Sequence, residues 1–234
     1  MKTLVLINPN SSEQTTASMV ALAEHEAGGR TRITGISNAG APALLTTTDE
    51  IEAATAGVIE LGMTAAAEGA AALVVAAFSD PGLSELRKRV DIPVVGIAES
   101  AYLAAAEGKR RFGIATITPD SGLLEFFAQK ARAMGLSSLF SGTQVTQGNP
   151  ADLLGWPARL DAALGEAVRR AVTEDKARAV IIGGGPLSAS ALRLQPHFDI
   201  PLIVPVLAAT RAALMSIGAG EVTGSGRSLS RHCY

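Results

Sequence analysis

A chain of 234 residues with 47% hydrophobic and 18% charged residues can bury a sizeable core, which excludes a disordered protein. A net charge of −2, with no polybasic run and no basic–aromatic interleaving, excludes a nucleic-acid partner. The only cysteine, Cys233, leaves no material for a disulfide framework or a cysteine-rich metal site.

Short β-branched runs alternate along the chain with stretches rich in Ala, Leu and Glu, the pattern of a parallel sheet covered by helices. The first strand, Thr3–Asn8, begins with no basic leader or long apolar stretch ahead of it, so no signal peptide is expected. No uncharged apolar segment reaches the ~20 residues that span a bilayer, so a soluble protein with no membrane partner and a cytoplasmic location is expected. A helix over Ser12–Ala27 leads to a strand at Thr31–Ser37. The Asp49–Glu68 stretch carries Ile51, Ala54, Val58 and Leu61 at helical spacing. Then follow strand Ala71–Ala77, helix Pro81–Arg89, strand Val94–Ile97 and helix Ala98–Glu107. Strand Phe112–Thr116, helix Ser121–Met134, strand Ser138–Gln144 and helix Pro157–Glu174 come next. Strand Ala179–Gly183, helix Ser188–Leu194, strand Leu202–Val204 and helix Ala208–Ile217 complete the series.

The chain also repeats itself. Ala71–Ala77, a turn and Asp91-Ile92-Pro93-Val94-Val95 match Ala179–Gly184, a turn and Asp199-Ile200-Pro201-Leu202-Ile203. Ala77 and Gly184 are 107 positions apart, Pro93 and Pro201 are 108 apart, and Leu4 of the first strand and Phe112 are 108 apart. A duplicated α/β lobe follows. Residues 1–97 with about 206–234 form the first lobe, and 98–205 the second. Each is Rossmann-like, a mainly parallel sheet flanked by helices.

Parallel sheets collect ligands at the carboxyl ends of their strands, where helix N-termini present free N–H groups. Four segments lie there: Asn8-Pro9-Asn10-Ser11-Ser12, Phe78-Ser79-Asp80-Pro81-Gly82, Thr116-Ile117-Thr118-Pro119-Asp120 and Gly184-Gly185-Pro186-Leu187-Ser188. Each alone also reads as a helix cap, since Asn, Ser and Asp cap helices and Pro favours the first turn. Together, in two related halves, they point to a cleft for a small anionic molecule. No G-x-G-x-x-G follows the first strand and no G-x-x-x-x-G-K-[ST] occurs, so no nucleotide cofactor is expected. Gly224-Ser225-Gly226 follows a helix and is a weak match. His25, His197 and His232 share no ligand spacing, so no metal is expected.

Ile7-Asn8-Pro9-Asn10-Ser11-Ser12, Phe78-Ser79-Asp80-Pro81-Gly82-Leu83 and Val95-Gly96-Ile97-Ala98-Glu99 resemble the hydantoin and allantoin racemase branch of the aspartate/glutamate racemase superfamily, from the first strand to about Gly220. The resemblance implies two pseudo-symmetric lobes with the site between them and no cofactor. It also implies two cysteine thiols on opposite faces of the stereocentre, one removing a proton and the other returning one. Here Ala77 and Gly184 occupy those two positions, so the two-thiol mechanism is absent. By matching position, Asn10, Ser11, Ser79, Thr116, Thr118, Gly184 and Gly185 would bind substrate, with an oxyanion nest at the Gly184–Gly185 amides. Asp80 and Ser79 remain as candidate catalytic groups. The resulting expectation is an isomerase of a small cyclic ureide or amino-acid derivative. The alternatives are a lyase or hydrolase working through Asp80 or water, and a small-molecule-binding protein without chemistry. Ala-rich helix faces permit a homo-oligomer.

Overall fold

The computed structural model describes residues 1–219. Cys233, His232, the Gly224-Ser225-Gly226 run and residues 220–234 of the expected first lobe lie outside the described residues. The elements alternate as expected: β1 (Thr3–Asn8), α1 (Glu13–Ala27), β2 (Arg32–Ser37), α2 (Thr48–Ala67), β3 (Ala72–Val75), α3 (Leu83–Arg89), β4 (Val94–Gly96) and α4 (Ile97–Ala106). The second set is β5 (Phe112–Thr116), α5 (Ser121–Ala133), β6 (Phe140–Val145), α6 (Pro150–Leu154), α7 (Pro157–Thr173), β7 (Ala179–Ile182), α8 (Ser188–Leu194) and β8 (Leu202–Ile203). Helix α9 (Pro205–Ser216) ends the described chain.

Two four-stranded parallel sheets result, ordered β2-β1-β3-β4 and β6-β5-β7-β8. The two orders are the same, as the internal repeat requires. In each sheet the second strand of the chain lies on one side of the first and the third on the other. The first crossover helix therefore covers one face and the next two cover the other, and a crevice opens at the carboxyl ends of the two middle strands.

The middle strands are apolar on both faces because both are covered. In β1, Leu4 and Leu6 join a core with Met19, Ala23, Val206 and Ala209, from α1 and α9. Val5 and Ile7 alternate to the other face, against Val58 of α2 and Leu86 of α3. In β7, Val180 and Ile182 meet Leu164 and Val168 of α7, while Ala179 and Ile181 meet Tyr102 of α4 and Phe127 of α5. The edge strand β6 is half-buried throughout. It carries a register shift opposite β5, where Gly142 takes φ +121, a conformation that favours glycine.

Local chemistry sets the helix ends. Ser12 caps α1 by accepting from the Thr15 N–H, and Gly28 closes it at φ +53. Thr47 and Glu50 form a reciprocal capping box on α2. The one helix the periodicity misses, α6, has only five residues. Its start was written in the chain, with Asn149 accepting from the Ala151 N–H at 2.9 Å and Pro150 in the first turn.

Tyr102 binds α4 to α5. Its side chain is fully buried, and its hydroxyl donates to the Phe127 carbonyl at 2.9 Å. Burial, with a smaller contribution from the Asp80 charge, pushes the phenol up, so it stays a donor at every physiological pH. Tyr102→Phe removes that donor and leaves the Phe127 carbonyl, in the middle of α5, with its helical partner alone. A loss of about 1–2 kcal/mol in unfolding free energy is expected, read from urea midpoints at unchanged slope.

Candidate functional site

The crevices of the two sheets face each other and merge into one cavity. It is lined by Asn10 after β1, Ala76–Ser79 after β3, Thr116 and Thr118 after β5, and Gly183–Pro186 after β7. Leu44, Leu45, Ile51, Leu123 and Phe127 close its apolar side. The cavity is part-open to solvent and has a volume of about 80 Å³, room for a small ring.

Asn10 is held by a buried network. Its side-chain oxygen accepts from Asn8 Nδ2 at 2.8 Å and from the Ser12 N–H at 2.9 Å. Asn8 Nδ2 also donates to Thr16 Oγ1, and Asn8 Oδ1 accepts the Asn10 N–H. The backbone donor from Ser12 fixes which end of the Asn10 amide is oxygen. Its NH₂ end is left without a partner among the described residues, as is the Ser79 hydroxyl. Thr116 Oγ1 is engaged: it donates to the Gly183 carbonyl at 3.0 Å and so ties β5 to the glycine loop.

The three glycines of that loop have separate reasons. A Cβ on Gly183 would stand 2.9 Å from the Phe78 ring, and one on Gly185 would stand 2.8 Å from Met19 Sδ and 3.5 Å from the Ala76 carbonyl. Their missing side chains let the second-half loop lie against the first-half wall. Gly184 itself sits at φ +154, a backbone that L side chains rarely adopt, and a Cβ there would be 3.2 Å from Leu187 Cδ1. A thiol-bearing residue at 184 would therefore be strained. Ala77, in the cavity wall, has no left-handed backbone and so carries no such constraint.

Two expected site residues are not on this wall. Ser11 donates its N–H to the Pro42 carbonyl and borders a separate hollow with Ser37 and Ala39. Asp80 turns underneath the wall. Its carboxylate, 1% exposed, accepts from the Ala98 and Glu99 N–H groups at the start of α4, at 2.9 and 2.8 Å. Lys130 Nζ of α5 lies 2.7 Å away. Burial pushes the Asp80 carboxyl up, and the Lys130 ammonium with the two N–H groups pulls it back. With three donors around it and no face in the cavity, this carboxylate holds structure together and reaches no ligand there.

Among the described residues, no Asp, Glu, Lys, Arg, His, Cys or Tyr lines the cavity. Its polar wall is made of amide, hydroxyl and backbone groups alone. Residues the sequence did not single out, Leu44, Leu45, Leu123 and Phe127, form a quarter of the lining, and Ile51 joins them from the apolar face of α2. The signal for the first two was an apolar pair in a segment without strand or helix periodicity.

The sequence profile of the Asp/Glu/hydantoin racemase family matches residues 4–213. The chain belongs to that family. It is 29% identical over 230 residues to a hydantoin racemase of Paenarthrobacter aurescens, covering 97% of this chain and 96% of that one. Its fold is that of the allantoin racemase from Klebsiella pneumoniae, at TM-score 0.85 and 24% identity over 97% of both chains. The Pseudomonas fluorescens allantoin racemase is similar too, at TM-score 0.84 and 19% identity, covering 96% of this chain and 99% of that one. No helix among the described residues is long and apolar enough to cross a membrane.

The glycine loop gives a direct test. Gly184→Ala places a side chain on a backbone built for none. It should lower unfolding free energy by about 1–3 kcal/mol, measured by chemical denaturation. Stability unchanged within error would mean that the loop relaxes freely.

Proposed function

We propose that the cavity binds a small neutral cyclic ureide or imide of the hydantoin class. Any isomerisation of this ligand would be carried by solvent rather than by a side-chain acid or base. The observation that carries this reading is the absence of ionisable side chains from the cavity wall among the described residues. A zwitterionic amino acid would bring an ammonium and a carboxylate into a site with no opposite charge for either, at a desolvation cost of several kcal/mol. A ureide offers carbonyl and N–H groups, which suit the Asn10 amide, the Ser79 hydroxyl and the Thr118 hydroxyl. The small-anion expectation narrows in the same way, since no cationic side chain faces the cavity.

The chemistry follows from the same wall. The C5–H of a hydantoin is acidified by its neighbouring carbonyl. On ionisation the proton passes to hydroxide or water and the electron pair moves onto the carbonyl oxygen. The Gly185 N–H, first in its turn and without an intrahelical partner, and the Ser79 hydroxyl are the donors that would stabilise that oxygen. Return of the proton from solvent to either face regenerates the ureide as either enantiomer. Without thiols at positions 77 and 184, such a site forgoes the roughly 10²–10⁴-fold that each positioned acid or base contributes. Catalysis through Asp80 is disfavoured because its carboxylate is committed to Lys130 and α4.

In this reading the lobes are 1–97 with about 206–234, and 98–205, and the ligand sits between them. The protein acts in the cytoplasm. It self-associates through helix faces that expose Leu103 of α4 and Met215 of α9.

Calorimetry with 5-substituted hydantoins, allantoin and free amino acids tests the binding. Hydantoins should bind and amino acids should not, and Asn10→Ala should weaken hydantoin binding about tenfold. Exchange of the C5 proton in D₂O, followed by NMR, tests the chemistry. Its rate should rise with pH at unit logarithmic slope, with no bell. A bell-shaped profile would reveal a titrating side chain and overturn the solvent-base reading. Binding with no exchange above the uncatalysed rate would leave a ureide-binding protein without chemistry.

A further inference from the structure

We propose that Lys130 and Asp80 are positioning residues, a buried latch through which α5 of the second half sets the shape of the cavity wall Ala77–Ser79. The inference rests on the ureide-binding reading only for its ligand readout.

The wall ends in a conformation it would not choose alone. Asp80, directly after the wall residue Ser79, takes φ +50, a left-handed backbone uncommon for a residue with a side chain. Three donors to its buried carboxylate hold it there: the Ala98 and Glu99 N–H groups and Lys130 Nζ. The surroundings are cut to fit. A Cβ on Gly96 would lie 2.4 Å from the carboxyl carbon of Asp80, so only glycine leaves the carboxylate its place.

The other side of the turn is gripped by the same helix. The Phe78 ring packs edge-on against Phe127, with centroids 5.1 Å apart, and stacks near Tyr102 at 6.0 Å. Phe127 and Lys130 are three residues apart on α5, hence on one face. One helix face thus presents a ring to Phe78 and an ammonium to Asp80, bracketing Ser79. Any shift of α5 against the first half must carry the wall with it. The pair is also close to neutral as a unit, so the wall is steered without adding net charge beneath a site made for a neutral ligand.

The test uses the full chain with Cys233→Ser and Ala77→Cys, which places one reporter thiol in the wall. Alkylation of that thiol by iodoacetamide is measured well below the melting temperature, with and without Lys130→Met. The expected result is a change in alkylation rate of tenfold or more while unfolding stays cooperative. In the chain carrying Ala77, the Kd for a 5-substituted hydantoin should weaken by at least tenfold. Lys130→Gln keeps a donor at the same place without the charge and is the variant to use if Lys130→Met fails to fold. It should give a smaller shift in the same direction, and Lys130→Arg should restore both readouts to within threefold. If Lys130→Met, or Lys130→Gln in its place, leaves both within twofold while lowering the melting temperature, the pair only stabilises the fold and the proposal fails. Should the chain bind no hydantoin, the ureide reading falls and the thiol rate alone decides on the latch.

Discussion

The loop Gly183–Gly185 lies against the turn Ala76–Phe78, and the cavity exists because no side chains stand between them. Gly183 yields its space to the Phe78 ring, Gly185 to Met19 and the Ala76 carbonyl. Two sheets of the same order would otherwise meet only through helices. This approach of backbones brings the carboxyl ends of β1, β3, β5 and β7 around one small volume. It also accounts for a glycine run that carries no nucleotide. The run is needed for packing between halves, and the polar N–H groups it leaves at the cavity are a by-product that a ligand can use.

The chemistry of the wall follows from what this packing spares. Burying the Asp80 carboxylate against Lys130 and α4 removes the one acidic side chain that the loop after β3 carries. Thr116 spends its proton on the glycine loop. What remains facing inward is uncharged. A site of this kind recognises shape and hydrogen-bond pattern, and it has little means of changing its own protonation. Family membership supplies the frame and the likeness to hydantoin and allantoin racemases, and the side chains present set what that frame can do.

Much of this was legible in the chain. β1, β3, β5 and β7 are short apolar runs bounded by Asn, Ser, Gly and Pro, and their repeat at 107–108 positions implies equal sheet orders. Asn10, Ser79, Thr116 and the glycines were readable as residues just past a strand. The partner of Asp80 was not. Lys130 sits in the last turn of α5, where a cation reads as an ordinary complement to the helix dipole, and only the tertiary fold sends it inward. Asp80 itself showed the ambiguity of any acidic residue before a helix, since capping and catalysis call for the same side chain at the same place. The start of α3 moved for a related reason. Gly82 at φ +71 follows the Asp80 turn, so the helix opens at Leu83 and not at Pro81. The apolar lining from Leu44 and Leu45 came from a loop, where no periodicity marks which way a side chain faces.

The chain passes between the two sheets twice. It leaves β4 through α4, which packs beside β5 and β7, and after β8 it returns in α9, whose Val206, Ala209 and Ala213 sit in the core with β1. A single connection would let one half swing as a flap on a hinge. Two connections running side by side, with α4 packed on α9, make a pair of struts. Relative motion is then confined to a narrow rocking about the line through them. A protease cut at the exposed Glu107–Lys109 turn would sever one strut, yet the halves would stay joined through the other.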